Sequence, residues 1–350
     1  DEHPEHAGFG HLFEHLMFGG SAHIPDYDTP LQLAGGENNA WTNNDITNYY
    51  LTVPKPNVET AFWLESDRML ELAFSEQSLE VQRGVVMEEF KQRCLNQPYG
   101  DVGHLLRPLA FRVHPYRWPT IGKELSHIEQ ATLDEVKSFF YRFYAPNNAV
   151  LAVTGNISWD ETVRLTEKWF AAIPRRDVPV RRLPQEPEQT QERRLTVERN
   201  VPLDALFMGY HMCSRESADY YAFDILSDIL SNGRSSRLNR RLVQEQNIFS
   251  GIDAYISGTR DAGLLQISGK PAAGVSLEQA EAAVRKELEE LRQSPVGEQE
   301  LEKVKNKFES TQIFGNINYL NVATNLAWFE LTGKAEDIDL EVERYRSVTT

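Results

Sequence analysis

Apolar and polar positions along the chain follow two rhythms, one helical and one extended. Residues 8–18 are apolar except for two histidines, one glutamate and two glycines, and read as a buried helix. A Gly/Asn-rich turn at residues 35–39 leads into a β-branched and aromatic run over 40–53, expected as extended strand with a hairpin around Asn43-Asn44-Asp45. Pro54 and Pro56 stop it. Helical spacing returns over 58–73 and 78–95. Thr132 with Glu135 three residues on forms a capping box, so a helix is expected over 132–144. Residues 148–154 are almost continuously apolar and read as a strand central in a sheet, followed by a helix over 159–172.

Residues 174–200 are rich in Pro, Arg, Glu and Gln and poor in apolar side chains, the composition of a linker. Beyond it the pattern restarts. Strands are expected over 205–212, 251–257 and 264–268, and helices over 218–230, 235–246, 277–291 and 299–314. The expected architecture is α+β: two related domains, each a mostly antiparallel sheet with helices packed on one face. The expected boundaries are a first domain at 1–175, a linker at 176–200 and a second domain at 201–350. A short similarity between 344–349 and 126–132 hints at duplication. On that basis the second domain is expected to lack its last helix and strand, and the first its opening strand.

Composition narrows the function classes. Hydrophobic residues at 41% and charged residues at 25% give an ordinary globular balance, which excludes a disordered chain. No apolar run nears the ~20 residues that span a bilayer. A formal net charge of -16 repels phosphate backbones, so no nucleic-acid partner is expected. The two cysteines, Cys94 and Cys213, form neither a disulfide framework nor a Cys-rich metal site.

The chemistry concentrates in His11-Leu12-Phe13-Glu14-His15. On a helix, residues four apart share a face, so His11 and His15 can offer two imidazoles to one zinc ion. Glu14 falls on the same side, where its carboxylate can act as general base toward a zinc-activated water. Such a pattern arises by chance in roughly one chain in a hundred of this length, and its apolar neighbours argue against a solvated face. A third ligand is expected from the helix around residues 82–91, where Glu88 or Glu89 serves equally on chemistry alone. His3, His6, His104, His114, His127 and His211 read as solvated or structural.

These residues resemble the pitrilysin/insulinase family of inverted-motif zinc peptidases, in its two-domain bacterial and mitochondrial-processing type. The resemblance is carried by Gly8 through Gly20, by Asn38-Asn39-Ala40-Trp41-Thr42 and by Arg83-Gly84-Val85-Val86-Met87-Glu88-Glu89, and more diffusely by Gly233 through Leu238. It implies Glu89 as the third ligand, completing a site of His11, His15 and Glu89 for one Zn2+ per catalytic subunit. It also implies Glu14 as the catalytic base. Gln82 stands where the family often has an assisting glutamate, and an amide cannot carry that negative charge.

The resemblance further implies that Asn39, Ala40, Trp41 and Thr42 form an edge strand to which peptide substrate adds. The family's arginine and tyrosine, seven positions apart, hold the substrate carbonyl; this chain has Val243 and Ser250 there. A homologous subunit supplying that pair is therefore expected, as a heterodimer in preference to a homodimer. The expected function is a zinc-dependent endopeptidase acting on peptides in a closed chamber. The alternative is a catalytically silent core subunit of the same fold, and a further one a zinc hydrolase of non-peptide substrates. The expected setting is a bacterial cytoplasm, with the periplasm as the alternative. Basic residues Arg234, Arg237, Arg240 and Arg241 read as an interdomain or subunit ion-pair face.

Overall fold

The computed structural model describes residues 2–350. The chain forms two compact units: one runs to Arg194 and takes in Val322–Ala327, the other comprises Leu195–Asn321 and Trp328–Thr350. Both combine helices with antiparallel sheet, so the fold class is α+β. Among the described residues no helix is long and apolar enough to cross a membrane.

The first unit opens with α1 (Phe9–Leu16) and α2 (Asp28–Leu33), then the hairpin β1 (Glu37–Thr42) and β2 (Thr47–Thr52). Next come α3 (Val58–Leu70) and α4 (Glu76–Phe90), which continues into a π-helical turn, Lys91–Leu95. It is completed by α5 (Val102–Ala110), α6 (Leu125–Glu129), α7 (Leu133–Phe143) and α8 (Trp159–Phe170). The expected capping box is present at the start of α7, where Thr132 and Glu135 satisfy each other's backbone amides. Phe9, Leu12, Phe13 and Leu16 recur at helical spacing on α1 and pack against Leu79 and Val86 of α4 and Val136 and Phe140 of α7. This core holds α1 and α4 side by side.

Residues 148–154 correct the expectation of a central strand. They form no ladder, and Leu151 is 48% exposed. An apolar run favours extended backbone, but a strand also needs a partner to take its N–H and C=O groups. Within this unit's described residues β1 and β2 pair only with each other.

The 174–200 segment has no regular structure, yet much of it is tied to the first unit. Glu186 accepts the amides of Arg112, Val113 and His114 at 2.6, 2.9 and 3.0 Å. Arg176 donates to the carbonyls of Tyr144 and Leu70, and Arg193 to those of Leu109 and Ala110. These bonds make residues 174–193 a strap laid along the unit.

A second tie fixes the loop after α1. Asp67 of α3 is buried and accepts the Ser21 hydroxyl at 2.5 Å and the His23 amide at 3.0 Å, with His23 Nδ1 at 2.7 Å. Burial pushes the Asp67 carboxyl up, but the bonds from Ser21 and His23 outweigh it and hold it below the ordinary carboxylate value. Its folded pKa therefore lies below its unfolded one. The stabilisation is present above the unfolded value and is lost as pH falls through the folded one. Asp67→Ala is expected to cost about 1–3 kcal/mol in urea unfolding near neutral pH, because it strands several donors. The difference from wild type should shrink in acid; a constant difference would refute this account.

The second unit has a three-stranded antiparallel sheet in the order β3 (Leu206–His211), β5 (Leu264–Pro271), β4 (Phe249–Ile256). Its helices are α9 (Tyr220–Ser231), α10 (Leu277–Gln293), α11 (Glu298–Gly315) and α13 (Glu341–Arg346), together with the two ends of α12 (Tyr319–Thr332), whose middle, Val322–Ala327, groups with the first unit. Residues 239–245, expected as ordinary helix, wind as a π-helix. The basic cluster there also departs from expectation. Arg237 pairs with Glu300 at 2.7 Å and Arg241 with Glu287 at 2.6 Å, so these arginines knit this unit internally to α10 and α11.

Candidate metal centre

Helix α1 advances about 100° per residue, which sets its chemistry opposite its packing. Phe9, Leu12, Phe13 and Leu16 take the core side, while His11, Glu14 and His15 fall on the other. The helix starts at Gly8, whose φ of 97° is left-handed. A Cβ there would stand 2.8 Å from Gly122 Cα and 2.9 Å from Ile121 O, so only glycine fits. Gly8 has no side chain to cap the helix. The Glu2 carboxylate does so instead, accepting the amides of Gly8 at 2.9 Å and Gly10 at 2.8 Å.

Glu89 is the penultimate residue of α4 and faces α1. Its Oε2 lies 3.6 Å from His11 Nε2 and 3.3 Å from His15 Nε2. The ligand atoms of the three residues all lie within 4.8 Å of one another. Two ligands about 2.0–2.1 Å from one tetrahedral ion lie roughly 3.3 Å apart, so both His–Glu separations are of the right size. Burial holds the His11 imidazole below its ordinary pKa, against the pull of Glu89, which favours the neutral ring that binds metal. His11 Nδ1 is buried without a hydrogen-bond partner.

The other predicted residues fall as follows. Glu14 lies beside the cluster and accepts the Thr42 hydroxyl at 2.6 Å through Oε2. Glu88 is exposed, on the Lys91 side of α4 at 3.5 Å. Gln82 is half-buried, two turns before Glu89 on the same face. Asn39, Ala40, Trp41 and Thr42 all lie on β1, whose far edge is unpaired among the described residues. The Ala40 amide is taken by the Asn39 side chain at 2.8 Å. In the second unit, Val243 packs on the core and the Ser250 hydroxyl donates to the Lys270 carbonyl at 3.1 Å. His104, His114 and His127 each bond a backbone group, the expected structural role.

Sequence reading missed Arg93. The π-helical turn carries it back over Glu89, where it grips Oε1 at 2.9 Å and leaves Oε2 toward the imidazoles. The i,i+4 spacing of Glu89 and Arg93 was the available signal. It also missed the Thr42–Glu14 bond, which needs the hairpin's placement against α1.

Residues 1–122 match the family model described as insulinase (peptidase family M16), and residues 130–308 match the peptidase M16 inactive domain. The cluster lies wholly in the first match. The zinc protease PqqE of Helicobacter pylori is 28% identical over 304 residues, covering 85% of this chain and 68% of that protein. An uncharacterized zinc protease of Bacillus subtilis, YmxG, is 25% identical over 312 residues, covering 89% and 75% respectively. Among solved structures, that of a protease from Helicobacter pylori matches with a TM-score of 0.92 and 25% identity, over 100% of this chain and 86% of that one.

Proposed function

Because the chain belongs to the insulinase family of peptidases, M16, we propose that it is a zinc-dependent endopeptidase whose site is His11, His15, Glu89 and Glu14. The observation that carries this reading is the convergence of two imidazole nitrogens on one oxygen of Glu89, with Glu14 alongside. His11, His15 and Glu89 would hold zinc. Zinc, when bound, supplies Lewis acidity toward a peptide carbonyl and lowers the pKa of a water. Glu14 takes the proton from the attacking water and returns it to the leaving nitrogen.

Substrate peptide adds along the free edge of β1, through the backbone of Asn39 to Thr42. Ala40 is small enough for close approach. Its amide is released from the Asn39 side chain when a substrate carbonyl takes it. Val243 has no donor and the Ser250 hydroxyl is engaged with the Lys270 carbonyl, so a homologous subunit supplies the arginine and tyrosine. A heterodimer fits this need.

The test combines metal analysis with cleavage of an unstructured peptide, alone and with a homologous subunit carrying the Arg/Tyr pair. One zinc per chain is expected, with cleavage lost on chelation and restored by zinc. His11→Ala should lose both zinc and cleavage. Undiminished cleavage by metal-free protein would overturn the proposal.

A further inference from the structure

Thr42 lies in the strand assigned above to substrate, yet its side chain points to the base. Its hydroxyl donates to Glu14 Oε2 at 2.6 Å and lies 3.2 Å from the Thr47 hydroxyl. A threonine has a single O–H to donate. That of Thr42 is spent on the carboxylate, so in the second contact only Thr47 has a proton to offer, and the Thr47 hydroxyl is also within hydrogen-bonding reach of the Tyr144 phenol. The Thr42 proton is aimed at the carboxylate, and Thr47 backs the Thr42 oxygen from the neighbouring strand.

The hairpin fixes this pair. Thr42 and Thr47 are direct cross-strand partners, so their side chains share one face. The turn between them is closed by Asn43, whose Oδ1 accepts the amides of Asp45 at 2.8 Å and Ile46 at 2.9 Å. Asn43 N–H donates to the Ile46 carbonyl at 3.0 Å. On β2, the Tyr49 phenol lies 2.7 Å from that of Tyr144, anchoring the same face to the end of α7. A slip of one residue would turn Thr42 away from Glu14.

We infer that Thr42, supported by Thr47, is a positioning residue for the general base: it holds Glu14 Oε2 so that Oε1 is presented to the reacting water. Among the described residues no hydrogen bond occupies Oε1. The inference rests on the peptidase reading above. It divides β1 by role: the backbone of Asn39 to Thr42 serves the substrate, while the Thr42 side chain serves the base.

The test compares Thr42→Val, Thr42→Ser and Thr47→Val in the cleavage-competent enzyme. Thr42→Val keeps shape and loses the hydroxyl. Its kcat is expected to fall about 10- to 100-fold, the range of one hydrogen bond to a charged group. KM, zinc content and melting temperature should stay near wild type. Thr42→Ser should recover most of the loss, and Thr47→Val should show a smaller defect of the same kind. A Thr42→Val enzyme with wild-type kcat overturns the inference, as does a Thr42→Ser enzyme equally impaired. If wild type does not cleave at all, the peptidase reading falls instead. The contact is then judged by the 13C resonance of the Glu14 carboxyl: movement in Thr42→Val and return in Thr42→Ser uphold it, and no movement overturns it.

Discussion

Glu14→Gln is expected to lower kcat for peptide cleavage by about 10²–10⁴-fold, the usual worth of a positioned general base, while zinc content stays at one per chain. The amide has almost the shape of the carboxylate and its oxygen can still accept the Thr42 hydroxyl, but it cannot take a proton at neutral pH. Glu14 is not one of the three residues whose ligand atoms cluster, so metal binding should survive. KM should change little, because the lost interaction belongs to the transition state. Measured together, zinc content and kcat separate three readings. Zinc kept and cleavage lost supports the proposal; both lost makes Glu14 part of the metal shell. Equal cleavage by variant and wild type would remove Glu14 from the chemistry.

The largest stability effect is expected at Arg68. It lies in α3, 1% exposed, in a cage of aromatic rings: its guanidinium carbon is 4.5 Å from the Tyr27 ring centroid, 4.7 Å from Tyr49 and 5.1 Å from Phe18. Its Nε and Nη2 grip Glu65 at 3.0 and 2.6 Å, and Tyr27 donates to the same carboxylate at 2.5 Å. Burial alone would lower the Arg68 pKa; Glu65 raises it, so the cation persists. Arg68→Ala leaves Glu65 without its partner and the three rings without their filling. A loss of about 3–5 kcal/mol is expected in denaturant unfolding. Arg68→Lys should recover little, since a point charge cannot grip the carboxylate as a planar fork or stack on the rings. Arg68→Met with Glu65→Gln should cost less than Arg68→Ala alone, because it removes both charges. If the double variant is the less stable, the pair contributes more than this accounting allows.

Much of the first unit was legible because local and tertiary preferences agree there. The α1 pattern carries both its packing face and its polar face, and the turn residues around Asn43 mark the hairpin. Thr132 and Glu135 announce α7. The resemblance to the family led to the family the chain belongs to. Other features were hidden for physical reasons. Residues 148–154 look like a strand because apolar composition reports burial preference and extended backbone, not the presence of a partner. Arg68 sits in a helix where a charged residue ordinarily means solvent, and only Phe18, Tyr27 and Tyr49, distant in sequence, make its burial tolerable. The partners of Arg237 and Arg241 lie 46 to 63 positions away on α10 and α11, beyond any local pattern. Thr42 was read through its strand's backbone, and its side chain became visible only once β1 stood against α1.

The strap over residues 174–193 bears on how a member of a peptidase family survives its own kind of chemistry. An extended segment without helix or ladder is the form in which peptide chains are most readily cut. Here Glu186 holds three consecutive amides of residues 112–114, and arginines at both ends bond carbonyls of the first unit. Pro174, Pro179, Pro184 and Pro187 further narrow its conformations. To be nicked, the strap must first let go, so its lifetime is set by how often these ties release together.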